Sequence, residues 1–145
     1  MDPHDLLIAD HHTLRTQADS LRTLVGEDRP ELGSALAGFQ AAIQKHFRDE
    51  DAYFRTLDDG KRIPDRGLVH QLRNDHAAVV FTLESLSIRL RKNGVNPDWR
   101  GRFETLMNVL LPHLDLEENH LFPLGKKMLT ADEMERITRQ IQNRE

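Results

Sequence analysis

Residues 110–122, LLPHLDLEENHLF, constrain the fold of this chain more than any other stretch. They place His113, Glu117 and His120 at i, i+4 and i+7. On an α-helix with 3.6 residues per turn, such positions stack on one face. Phe103, Leu106 and Leu110 lead into that face and Leu124 follows it. An imidazole, a carboxylate and a second imidazole therefore stand where a bundle helix ordinarily carries leucines. Burying a carboxylate costs several kcal/mol unless a charge meets it. A metal ion is the simplest partner for His and Glu at this spacing.

The rest of the chain repeats the apolar three-and-four rhythm. Asp2-Pro3 opens a first helix, with Asp as cap and Pro where its missing N–H is no loss. Its stripe is Leu7, His11, Leu14, Ala18, Leu21 and Val25, and it stops near Gly26. Asp28-Arg29-Pro30-Glu31 is a capping-box-like start for a second helix with stripe Leu32, Leu36, Phe39, Ile43, His46, Glu50, Tyr53 and Leu57. Asp58-Asp59-Gly60 ends it. A third helix begins around residues 64–67, carries Val69, Leu72, His76, Val79, Leu83, Leu86 and Leu90, and closes at Asn93-Gly94. Asn96-Pro97 caps the fourth, where Pro112 predicts a kink just before His113 and Pro123 with Gly125 predict the end. Thr130 and Glu133 form a capping box for a short fifth helix with Met134, Ile137 and Ile141 on its apolar side.

No segment has strand alternation. The expectation is one all-α domain over residues 1–145: an antiparallel up-down-up-down four-helix bundle at about 3–125, plus a C-terminal helix at about 130–145. The tail helix is expected to pack outside the bundle or against a partner, and weak self-association goes with that expectation.

The bundle contains an internal repeat. Asp10-His11 aligns with Asp75-His76, and Leu14, Ala18, Leu21 and Val25 align with Val79, Leu83, Leu86 and Leu90. In the second helix of each pair, His46-xxx-Glu50-Asp51 aligns with His113-xxx-Glu117-Glu118, and Tyr53 falls opposite His120. Each helical hairpin thus reads His, then HxxxE. Pseudo-two-fold symmetry brings four imidazoles and two carboxylates to one point, an arrangement suited to two metal ions bridged by the carboxylates.

A lone buried histidine is usually a satisfied core residue, but four in matching stripe positions are a constellation. His12 points about 100° away from His11 and is expected at the surface. His4 lies one heptad before His11 and could lie above the site, though a first-turn histidine is expected to be solvated; His70, off the stripe, is expected at the surface. Asp10 and Asp75 precede equivalent ligands; they are read as solvated charges, with an orienting role as the alternative. Tyr53 and His120 are read as core packing, additional ligands or residues just behind the ligands, and Tyr53 is the candidate catalytic residue.

With no cysteine among 145 residues, disulfides, thiolate sites and thiol catalysis are excluded. Net charge −4 gives no nucleic-acid footprint. No apolar run matches a membrane span and the first residues lack a signal-peptide core, so no membrane partner and a cytoplasmic location are expected.

The pattern His11 … His46-xxx-Glu50 … His76 … His113-xxx-Glu117, ending in Glu117-Glu118-x-x-Leu121-Phe122-Pro123, resembles the hemerythrin-like (HHE cation-binding) domain over about residues 5–125. The resemblance implies a four-helix bundle holding two iron ions with an oxo or hydroxo bridge. The implied ligands are His11, His46, Glu50, His76, His113 and Glu117. Oxygen-carrying hemerythrins have a HxxxH pair on the third helix, where this chain has Val80 and Leu72 four residues either side of His76. They also end in HxxxxD rather than HxxxE. These departures argue against reversible oxygen carriage.

The six-ligand pattern is similar to the subgroup that includes mycobacterial hemerythrin-like proteins, bacterial proteins of nitrosative and oxidative stress, and the iron-sensing domain of an F-box protein. The lack of cysteine argues against the iron-cluster repair members. If each iron takes two imidazoles, both glutamates and the bridge, an octahedral ion keeps one open position for peroxide, O2 or NO. Tyr53 or His120 ligation would close one, and a phenolate would favour Fe(III). The implied function is reaction with small oxidants, catalase-like or NO-peroxidase-like. The alternative is a non-catalytic O2, NO or iron-binding sensor or carrier. N/O ligands also fit manganese or zinc.

Overall fold

The computed structural model describes residues 2–27, 30–59 and 66–143. Four long helices form the bundle: α1 (Pro3–Glu27), α2 (Leu32–Asp59), α3 (Arg66–Asn93) and α4 (Pro97–Leu116). A π-helical turn (Glu117–Leu121) and α5 (Phe122–Met128) prolong α4, and α6 (Ala131–Gln142) follows. The contacts α1–α2, α2–α3, α3–α4 and α4–α1 close the antiparallel ring. Among the described residues no helix is long and apolar enough to cross a membrane.

The caps are those the local chemistry dictates. The Asp2 carboxylate accepts from the His4 N–H at 2.7 Å, and Asn96 accepts from the Trp99 N–H at 2.8 Å with Pro97 in the first turn. Gly94 takes φ +69°, the left-handed position after α3 that favours glycine. Thr130 and Glu133 make both halves of the capping box at α6. The expected helix signals at Asp28-Arg29, Gly60 and Pro64 lie outside the described residues.

One correction concerns the end of the fourth helix. Pro112 lies inside it, as expected, and α geometry gives way at Glu117. Neither Pro123 nor Gly125 ends it. The Phe122 N–H bonds to the Glu117 carbonyl, so the ladder has stepped from i−4 to i−5 pairing. Pro123 falls in the first turn after that step, where a missing N–H costs least. Gly125 is buried, and a Cβ on it would overlap the Tyr53 hydroxyl.

The core is two apolar clusters. The larger includes Leu14, Ala18, Phe39, Ile43, Val79, Leu83, Trp99, Phe103 and Leu110. The smaller includes Leu7, Tyr53, Phe54, Leu72, Leu121, Phe122, Ile137 and Ile141. Each bundle helix passes from one cluster to the other across a histidine or HxxxE segment, so the polar residues form a layer between them. Helix α6 packs against α1 and α2 and buries Ile137 and Ile141.

Candidate metal centre

The layer contains His11, His46, Glu50, His76, His113 and Glu117, all buried. The bundle brings together what the repeat aligns. His11, His46, Glu50 and Glu117 form one group whose donor atoms all lie within 4.8 Å of one another, and Glu50, His76, His113 and Glu117 form a second. The two groups share both glutamates. Every histidine turns Nε2 inward: His46 and His76 each reach Glu50 Oε1 at 3.1 Å, while His11 and His113 reach Glu117 Oε1 at 3.2 and 3.3 Å.

The inward atoms are largely orphaned. Nε2 of His11, His46 and His113, Oε2 of Glu50 and both oxygens of Glu117 are buried without a well-aligned hydrogen bond, although the three nitrogens lie 3.1–3.3 Å from a carboxylate oxygen. Buried polar atoms are normally paired because each unpaired one costs about 1–3 kcal/mol. Six in one layer, all imidazole or carboxylate and spaced for coordination, fit a cation.

The outer ring nitrogens are held by carboxylates. His46 Nδ1 donates to Asp10 at 3.0 Å, and His113 Nδ1 donates to Asp75 at 3.1 Å. His11 Nδ1 donates to Glu118 at 3.0 Å, and His76 Nδ1 lies 3.8 Å from Asp51. This fixes the tautomer that leaves Nε2 free to ligate, the usual carboxylate–histidine–metal arrangement. Asp10 and Asp75, expected as solvated charges, instead orient the histidine of the neighbouring helix. Their position one residue before a stripe histidine was the available signal.

Electrostatics point the same way. Burial pushes the His11 imidazole down, but the facing Glu117 and Glu50 more than reverse this and raise it to about 9. Burial is likewise overcome at His46 by Glu50 and Asp10, giving about 10, and at His113 by Glu117 and Glu50, giving about 11. Burial pushes Glu50 up, yet His46 and the other imidazoles hold it well below the carboxylate range. Burial and the neighbouring Glu50 raise Glu117. Two carboxylates confined together gain from a cation between them.

Tyr53 and His120 are not equivalent. Tyr53 is buried, and its hydroxyl donates to His4 Nε2 at 2.8 Å; His4 Nδ1 in turn donates to Asp2 at 2.6 Å. Burial raises the Tyr53 phenol, and the Glu117 charge raises it further, so it stays protonated. His4, expected to be solvated, is fully buried and its pKa is lowered by that burial. His120 is exposed and stands in neither group of candidate ligands. The π turn adds one residue after Glu117 and rotates His120 out by about 100°, so Leu121 takes the inward place opposite Tyr53. The clue was in the sequence: beyond the glutamates, Tyr53-Phe54 matches Leu121-Phe122 if the repeat is offset by one residue. Phe54 then packs on His76 at 5.5 Å between ring centroids, as Phe122 does on His11 at 5.7 Å. His12 and His70 are exposed, as expected.

An antiparallel four-helix bundle with a shared His/Glu layer in its core defines the class: a helical cation-binding domain. A model of the hemerythrin HHE cation-binding domain matches residues 2–125, and the chain belongs to that family. No curated protein and no solved structure matches it.

Proposed function

We propose that the chain is a non-haem di-iron protein of the six-ligand subgroup, reacting with peroxide, nitric oxide or both. The observation that carries the reading is the pair of four-residue groups sharing Glu50 and Glu117. His11 and His46 would hold one ion, His76 and His113 the other, and the two glutamates would bridge them. When bound, the irons would supply redox equivalents for two-electron chemistry.

The residues around them have distinct tasks. Asp10, Asp75 and Glu118 aim three imidazoles inward. Phe47, stacked on His76 at 3.8 Å, and Phe122 exclude water from the layer. Asp2, His4 and Tyr53 form a hydrogen-bonded chain from a half-buried carboxylate to a buried phenol. Burial favours neutral His4, so its Nδ1–H to Asp2 and the Tyr53 O–H to its Nε2 hold the phenol in place beside the layer.

The rival reading is a sensor or carrier without turnover, which an apolar tail helix left free to meet a partner would suit. Helix α6 packs its apolar side on α1 and α2, the first of the two expected placements, which takes that support from the rival. The test loads the protein with ferrous iron under anaerobic conditions, adds peroxide and records oxygen evolution. Repeated turnovers are expected. Stoichiometric oxidation that then stops, in fully loaded protein, would overturn the turnover reading in favour of the sensor or carrier.

A further inference from the structure

The two flanks of the layer are built from aligned residues but finished differently. On the α1–α4 flank, Arg15 Nη2 bridges Asp115 at 2.7 Å and Glu118 at 2.5 Å, and Glu118 reaches His11 Nδ1 at 3.0 Å. In the repeat, Arg15 aligns with Val80, Asp115 with Arg48 and Glu118 with Asp51. The α2–α3 flank therefore cannot form the same bridge. Asp51 is 58% exposed where Glu118 is 23%, and it stands 3.8 Å from His76 Nδ1, beyond a hydrogen bond. The His76 side chain is 9% exposed, whereas those of His11 and His113 are fully buried.

A groove of about 1060 Å³ opens on this unsealed flank and reaches His76. Phe47 and Val80 line it, and Phe81, 74% exposed, also lines it. Arg48, Arg55, Asp51 and Glu84 face it together with Arg73, whose guanidinium is paired with Asp58, a near-balanced lining that admits small neutral species.

We infer that small ligands reach the buried layer through one side only, the α2–α3 groove at His76, and that Arg15 seals the opposite side. This rests on reading the layer as a metal centre, but the passage itself can be tested without metal. Diethyl pyrocarbonate, a small neutral reagent, is added to the metal-free chain, and carbethoxylation of each histidine is followed by mass spectrometry. Each histidine is compared with itself across variants and over a pH series, so that a change in its basicity is separated from a change in access. Exposed His12, His70 and His120 calibrate the reagent.

In the wild type His76 is expected to react before His11, His46 and His113. Rebuilding the seal on the open flank with Val80→Arg, Arg48→Asp and Asp51→Glu should slow His76 several-fold and leave the exposed histidines unchanged. Arg15→Ala should speed His11 several-fold, a second arm that survives if the triple variant folds poorly. A parallel arm follows azide binding to the iron-loaded protein by stopped-flow absorption; the triple variant should slow it. His76 labelling unchanged by the triple variant, or His11 labelling unchanged by Arg15→Ala, would overturn the one-sided passage. Iron that fails to bind at all would overturn the metal reading, and the labelling pattern would still decide the passage.

Discussion

The α1–α2 and α3–α4 hairpins present the same three side chains to the centre, His followed by HxxxE, yet they leave it differently. Beyond Glu50 the α2 helix continues unbroken, and Tyr53 turns to His4. Beyond Glu117 a π turn inserts one residue, Leu121 replaces the tyrosine, and Gly125 leaves the space that the Tyr53 hydroxyl fills. The shared part is what two metal ions need in common. The differing parts give the site a buried phenol on one side only and sealed and open flanks. A repeated scaffold thus supplies the two His/Glu groups, and local departures from the repeat supply asymmetry.

The largest effect concerns the shared part. At free metal about a thousand times Kd, binding adds about 4 kcal/mol to the folded state, read as a rise in Tm by calorimetry. The same comparison has a pH signature. In the metal-free chain His11, His46 and His113 are raised above their ordinary 6.5 to about 9, 10 and 11. Their contribution to stability is complete below pH 6.5 and is lost as pH rises through those values. Denaturation midpoints of the metal-free chain should therefore fall across that window, and those of the loaded chain should not show this loss.

Gly125→Ala attacks the asymmetric part. Its methyl meets the Tyr53 hydroxyl and the His4 ring, and such overpacking costs about 1–3 kcal/mol. Combining it with Tyr53→Phe should recover part of that loss in a double-mutant cycle, whereas simple additivity would place the clash elsewhere. Asp10→Asn and Asp75→Asn sharpen the symmetry. Each should weaken metal binding by about 10- to 100-fold by freeing the histidine it orients, and by similar factors, as measured by competitive titration. Tyr53→Phe alone is the smallest perturbation: it removes one buried hydrogen bond to His4, worth about 1 kcal/mol.

The stripes and the repeat made the four-helix bundle and the six inward residues legible, because buried positions on packed helices follow a fixed period. The π turn was hidden by that same regularity. Extending the period past Glu117 puts His120 inward, and only a one-residue slip in the repeat, matching Phe54 to Phe122, reveals the insertion. His4 stands one heptad before His11, but its place in the first turn outweighed that register, because its contact with Tyr53 comes from another helix. Asp10 and Asp75 looked solvated because their partners lie on another helix. Contacts between helices decide such residues, and a single helix's period carries no record of them.

The most direct test of a paired centre is a metal count. Protein reconstituted with ferrous iron is desalted, and bound iron per folded chain is measured for wild type, Glu50→Ala and Glu117→Ala. Two ions per wild-type chain are expected, with each variant losing affinity for both, because both glutamates belong to both groups. A well-folded wild type that binds one ion or none, or a Glu50→Ala variant that still holds two as tightly, would contradict the shared-carboxylate centre.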